Sequence, residues 1–256
     1  MRAMISNAMA MLRSGRLLVC HLVGNAALLV AATLWLLIGE QSVAHLVFAA
    51  AAGLAILFLL LWLHTGTVEY AADPQAENFR AAFRPNVFRM LWMLLGVSIL
   101  FWLTWHVLGW KEQEWQIGGY LYAKAPSSLH PVKGASVYYT WVDRAISVVF
   151  WYMLPGLFLP LIASRVLGAR VRAGLKTLVR WRYWLAFAVT TLIGVWGTEL
   201  IVGWTPGKSL RAQTVSLAIR MLFAYVVATA AWLATVGLLG YFVRTNSEQI
   251  GGKTVL

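Results

Sequence analysis

The stretch RVLGARVRAGLKTLVRWRYW, residues 165–184, is the densest basic run of the chain, with Arg165, Arg170, Arg172, Lys176, Arg180 and Arg182. At about 100° per residue, Arg165, Arg172, Lys176 and Arg180 fall on one arc, and Leu167, Val171, Leu175, Leu178 and Trp181 on the opposite arc. The pattern predicts an in-plane amphipathic helix over about 167–180. Its apolar side would lie in the acyl boundary of a membrane, and the four cations Arg165, Arg172, Lys176 and Arg180 at the lipid headgroups. Long apolar runs flank it on both sides, so it reads as an elbow joining two membrane spans.

The rest of the chain supports that reading. Of its 256 residues, 61% are hydrophobic and 12% charged, and the mean hydropathy is +0.72. Soluble domains sit nearer 45–50% apolar and about 25% charged. The formal charge of +12 does not point to nucleic acid, because the cations cluster at the ends of apolar blocks instead of lining a solvated groove. Cys20 stands alone in an apolar run, which excludes a disulfide framework and a cysteine-based metal site.

Read in order, residues 1–16 place Met4, Ile5, Ala8, Met9 and Leu12 at helical spacing and predict a short interfacial helix. Leu17–Gly39 is too long for the apolar core of a signal peptide and lacks a small-x-small cleavage site, so it is expected to stay as the first span. Further spans are expected at about 43–63, 87–110, 142–163, 183–204 and 221–243. Asp73-Pro74 has the form of a helix start, with Asp as N-cap, and opens a first, weaker elbow at about 74–84. Residues 111–141 form the only long polar stretch, rich in Trp and Tyr and broken by Gly118-Gly119, Pro126 and Pro131; they predict an outer loop without one continuous helix. The last dozen residues are polar and are expected to fray. The fold class is all-α and polytopic: one integral membrane domain over 1–256, with six transmembrane helices and two cytoplasmic in-plane elbows.

Six spans put both termini on one side. That side carries Arg2, Arg13, Arg16 and the cations of both elbows, whereas the other carries Lys111, Lys124, Lys133, Arg144, Lys208 and Arg211. The positive-inside rule then places both termini in the cytoplasm, with a bacterial inner membrane as the expected location. Spans two and three with their elbow echo spans four and five with theirs in order and orientation, without matching side chains. Small residues at Ala49–Gly53 and Gly237–Gly240 permit close helix contacts, within the chain or between copies.

The runs HTGTVEY (64–70) and DPQAENFRAAFRPNVFRMLWML (73–94) resemble the span–elbow–span units of uncharacterised bacterial six-span proteins. Among these are families similar to the membrane domain found beside some glycerophosphodiester phosphodiesterases. The resemblance is hydropathic and implies a membrane module. The soluble phosphodiesterase barrel of that architecture is absent, and no catalytic residue carries over.

Glu199 lies inside span five, where an isolated carboxylate costs about 2.5–3.5 kcal/mol or more at the bilayer centre. Arg220, at the start of span six, is its expected partner at similar depth, with Arg211 a looser one. The pair reads either as a polar intramembrane site or as a structural lock between spans five and six. Pro155-Gly156 and Pro160 in span four predict a kink or a broken helix. His21 and His64 fall near the inner face and His45, His106 and His130 on the outer side, which admits haem ligation. His45 and His64, however, are roughly 28 Å apart along one helix. Glu69, Asp73 and Glu77, each four apart, are the one acidic cluster with metal-ligand spacing. No HExxH, GxSxG or phosphate-binding glycine loop is present. The function expected is that of a non-enzymatic membrane-embedded binding, permease-like or complex subunit, with no cofactor. The alternative is a redox or metal-dependent enzyme subunit using the histidines or the acidic cluster. Expected partners are the bilayer, its anionic lipids and other membrane subunits, and not nucleic acid.

Overall fold

The computed structural model describes residues 2–39, 42–74, 79–130, 134–204 and 210–251. Every regular element among them is helical. Short α1 (Arg2–Arg13) precedes α2 (Gly15–Leu36), α3 (Val43–Ala72), α4 (Phe79–Ala82), α5 (Val87–Glu112) and α6 (Glu114–Lys124). Then come α7 (Ser136–Val148), α8 (Leu154–Val166), α9 (Val171–Leu178), α10 (Trp181–Thr191), α11 (Thr198–Gly203) and α12 (Leu210–Gly251). A π-helical segment, Val149–Met153, joins α7 to α8, and a second, Leu192–Gly197, joins α10 to α11. Six continuous helices are therefore long and apolar enough to cross a membrane: Gly15–Leu36, Val43–Ala72, Val87–Glu112, Ser136–Val166, Trp181–Gly203 and, in α12, Gln213–Ile250. All six expected spans coincide with one of these helices. Several are longer than hydropathy implies.

The long α12 is the axis. It packs on α1, α2, α3, α8, α9, α10 and α11. The main core gathers at the end of the bundle that holds the termini, around Met11, Leu17, Ala71, Val166, Tyr183, Leu233 and Val243. Lipid is as apolar as leucine, so helices in a bilayer associate through close packing and polar contacts, not through a hydrophobic drive between them. The glycines of α12 serve that purpose. A Cβ on Gly237 would stand 3.0 Å from Ala8 Cα, and one on Gly240 would collide with the Ala71 carbonyl of α3. Asn7 locks the junction: its Nδ2 donates to Ala71 O at 3.0 Å and to Gly237 O at 2.7 Å. Helix α1 is thus built into the bundle through Met4, Ala8 and Met11, not merely laid on an interface. The other small pair, Ala49–Gly53, is covered from within the chain by Trp35, whose Nε1 donates to Ala49 O at 2.7 Å.

Two prolines shape the fourth span-length helix. Pro155 has no N–H, and its ring would crowd the carbonyl four residues back; the turn just before it widens, with Leu154 N–H donating to Val149 O. Pro160 leaves Gly156 O without its helical donor, and the buried Tyr183 hydroxyl supplies one at 2.7 Å. Helix α8 ends on Gly168, whose φ of 67° suits glycine; Ala169 N–H donates to Ser164 O at 2.8 Å and Gly168 N–H to Arg165 O at 3.1 Å, closing the last turn.

Helix α9 follows, shorter than the expected 167–180. Its small residues Ala173, Gly174 and Thr177 are buried against the bundle, where a Cβ on Gly174 would lie 2.7 Å from Pro160 O. Asn246 of α12 donates to Thr177 Oγ1 at 2.9 Å. Val171 and Leu175 remain exposed on a separate stripe, with Arg172 exposed beside them.

Three expectations are corrected. Asp73 does not start a helix: α3 runs nine residues past Leu63, and Asp73 is its C-cap. The first elbow, at 74–84, is reduced among its described residues to the one-turn α4, held by Phe79 stacked on Phe83 and by Trp62 Nε1 donating to Phe83 O at 2.8 Å; residues 75–78 lie outside the described part. The C-terminal tail does not fray at residue 245, since α12 continues to Gly251 and Asn246 is fully buried; residues 252–256 are outside the described part.

Candidate functional site

The half of the bundle away from the termini carries an open cavity of about 640 Å³, within the range of small-molecule sites. Both π-helical segments reach it, one through Trp151 and the other through Gly194, Val195 and Trp196. Single π-helical turns inside α-helices gather at functional sites, because they re-aim side chains that a regular helix would point elsewhere. The second π segment has no proline; the Thr198 hydroxyl lies 2.8 Å from Gly194 O and 2.7 Å from Val195 O, and Val195 O also accepts from the Thr198 N–H.

Charge enters the cavity from three elements. Lys111, at the end of α5, pairs with Asp143 of α7 at 3.0 Å, and Glu199 of α11 lines the same wall. Lys111 and Asp143 are both about half exposed. Tyr225 of α12 closes the floor. Its hydroxyl donates to Leu22 O at 2.7 Å and lies 3.2 Å from His21 O, tying the cavity to α2.

Glu199 and Arg220 do not pair. Arg220 is buried, 7% exposed, and its guanidinium donates to the Val202 and Trp204 carbonyls at the end of α11 and to Ser216 O at 3.2 Å. A cation at a helix C-terminus satisfies carbonyls without helical donors and meets the negative end of the helix dipole. Arg220 therefore ties span five to span six through backbone carbonyls and not through Glu199. Pro155 stands two residues past the first π segment and shapes the wall that carries Trp151.

A second polar group lies nearer the termini. His21 Nε2 is 2.7 Å from Thr67 Oγ1, whose own hydroxyl donates to Leu63 O at 2.7 Å. Thr67 must then accept from His21, which puts the proton on Nε2 and leaves Nδ1 to accept from Asn25 Nδ2 at 3.3 Å. His64 packs edge-on against His21, with ring centroids 5.4 Å apart, and against Trp232 at 5.7 Å. His64 Nδ1 and Trp232 Nε1 are buried without a partner.

The histidines expected at the inner face are thus brought together. His21, with both nitrogens engaged, offers no lone pair to a haem iron. His45 sits on Ser42 at the start of α3, His106 contacts Trp102 O at 2.8 Å, and His130 stacks on Tyr122, so the other three stand apart. Asn25, Thr67 and Tyr225 carried no signal in the sequence beyond being polar groups in apolar runs. The Lys111–Asp143 pair joins residues 32 positions apart, which neither periodicity nor spacing shows.

The acidic cluster is drawn apart: Glu69 pairs with Arg89, Asp73 with Arg244 at 2.9 Å, and Glu77 lies outside the described residues. Among the described residues no group of three or more His, Cys, Asp or Glu could hold a metal ion. Of the four headgroup candidates, Arg165 belongs to α8 and stacks over Trp92 at 4.1 Å, and Arg180 donates to Gln249 at 2.9 Å. Arg172 and Lys176 make no such contact among the described residues.

Comparison with protein-family models, with curated proteins and with solved structures yields no match to this chain.

Proposed function

We propose that this chain is a multi-pass integral membrane protein that binds or conducts a small polar molecule through the far-end cavity, as a permease-like or binding subunit without catalysis of its own. The observation that carries the reading is the cavity itself: two π-helical segments and the Lys111–Asp143 pair converge with Glu199 around about 640 Å³ in the more open half of the bundle. Charged groups within a bilayer mark substrate paths more often than packing elements. The cation distribution supports a cytoplasmic location for the termini, in a bacterial inner membrane, and hence an outward-facing cavity. The exposed apolar surface of α2 and α3 supports contact with lipid or with other membrane subunits. Arg172 and Lys176, beside the exposed Val171 and Leu175 and without an ion pair among the described residues, support lipid-headgroup contact at the second elbow.

The test is water access. Ser147 lines the cavity, and Cys20 is the only native thiol. In a Cys20→Ser background, Ser147→Cys should react in intact cells with a membrane-impermeant maleimide, whereas Leu54→Cys, on the exposed apolar face of α3, should not. Absence of labelling at Ser147→Cys sinks the reading.

A further inference from the structure

A different concavity lies at the end of the bundle that holds the termini. It measures about 890 Å³, between α1, the start of α2 and the end of α3. The Asn7 clamp fixes α1 with Met4, Ala8 and Met11 inward. That orientation turns Arg2, Ile5, Ser6, Met9 and Arg13, spaced i, i+3, i+4, i+7 and i+11, toward the concavity as a single face. Arg16 joins from the first turn of α2. The chain breaks its helix at Ser14, whose Oγ lies 3.4 Å from the Tyr70 hydroxyl. Phe79 and Pro74 complete the wall.

Three arginines line this concavity, and among the described residues no acidic side chain does. None of the three takes part in an ion pair among the described residues. Many cations elsewhere in the chain are engaged: Arg89 on Glu69, Arg244 on Asp73 and Glu248, Lys111 on Asp143, Arg165 on Trp92 and Arg220 on backbone carbonyls. Topology needs positive charge on one side of a membrane. It needs neither a hollow nor unpaired guanidinium groups converging on it. The apolar Ile5, Met9 and Phe79 share the wall with the arginines, so the lining is amphiphilic.

We propose that this concavity binds the phosphate headgroup of an anionic phospholipid. Arg13 and Arg16 hold the phosphate from the break between α1 and α2. Arg2 draws charge to the opposite rim, and Ile5, Met9 and Phe79 cover the glycerol and upper acyl carbons. Guanidinium is suited to the phosphate because its planar fork donates two parallel hydrogen bonds to two oxygens. The apolar wall favours a lipid over a free phosphate ester.

The test uses the purified full chain in detergent, titrated with phosphatidylglycerol or phosphatidylcholine and read by native mass spectrometry. Phosphatidylglycerol should bind at least about tenfold more tightly than phosphatidylcholine, and R13Q/R16Q should remove about tenfold of that affinity. K124Q/R144Q, which neutralises two exposed cations outside this concavity, should change it by less than about twofold. If R13Q/R16Q fails to fold, R13K/R16K keeps the charge, loses the bidentate geometry, and should weaken binding by about threefold or more. Equal phosphatidylglycerol affinity in wild type and in the folded arginine variant overturns the proposal. So does full displacement of the lipid by an equal concentration of glycerol 3-phosphate, which would assign the site to a soluble phosphate ester. Both arms are independent of the far-end cavity and leave its labelling test unaffected.

Discussion

The two halves of the bundle are built on different terms. At the terminal end α1, α3, α8, α9, α10 and α12 meet through glycine, alanine and buried side chains; Asn7 and Asn246 donate to backbone carbonyls across the junctions, and Tyr183 serves the carbonyl that Pro160 leaves without its helical donor. At the far end the described core is a small cluster around Val107, Val142 and Ile146, and both π-helical segments and the Lys111–Asp143 pair surround open volume. Stability is concentrated where side chains interlock, and freedom to bind is left where they do not. Substitutions at the terminal end should therefore cost stability, and substitutions at the far end should change access and binding at nearly constant stability.

The sharpest way to break that contrast is Gly240→Leu. The backbone of α3 already occupies the space a Cβ would need, so α12 and α3 must separate and the Asn7 clamp must open with them. Overpacking of this kind costs about 3 kcal/mol or more. The expected result is loss of the monodisperse peak in detergent, or a large fall in thermal midpoint. A wild-type melting profile would show that the terminal end is not tightly packed. Asn7→Leu comes next. It keeps the volume but leaves the Ala71 and Gly237 carbonyls without their side-chain donor, and should cost about 1–2 kcal/mol, the upper range for polar contacts between membrane helices. Tyr183→Phe is smaller again: it removes only the hydroxyl that serves Gly156 O above Pro160, for about 1 kcal/mol in the same thermal assay.

How much of this was legible in the sequence follows from which interactions are local. The six spans were readable because apolar length is a property of contiguous residues, and each matched a helix. The distortion around Pro155 was foreshadowed by the proline itself, whereas Gly168, where α8 ends, fell inside the helix expected over about 167–180. Asp73 misled because Asp-Pro has the same form whether it opens a helix or closes one, and only the packing of α3 against α12 decides it. The elbow at 165–184 was read as two-faced, cationic and apolar. The structure gives it a third face of small residues, Ala173, Gly174 and Thr177, which hydropathy scores as unremarkable and which does the docking. The Glu199–Arg220 pairing rested on similar depth, but depth says nothing about rotation around a helix axis. A π-helical turn shifts that rotation for every residue after it. Lys111, Asp143 and Tyr225 were invisible for the same reason: they meet by tertiary placement alone.

Asp143→Asn sharpens the comparison from the far end. Lys111 and Asp143 are half exposed, and such ion pairs contribute about 0–1 kcal/mol, so the thermal midpoint should hardly move. The cavity wall changes more than the stability does. Lys111 loses its partner at 3.0 Å, Glu199 becomes the one carboxylate among the described lining residues, and the Lys111 ammonium is free to swing toward it. The rate of maleimide labelling at Ser147→Cys should then shift by about threefold or more, because thiolate formation responds to the charge facing it and the variant removes one carboxylate from the wall. If labelling is unchanged while the midpoint drops by as much as in Asn7→Leu, the Lys111–Asp143 pair is a structural lock like Arg220. The far half would then have to be regarded as a loosely packed extension of the core instead of a site.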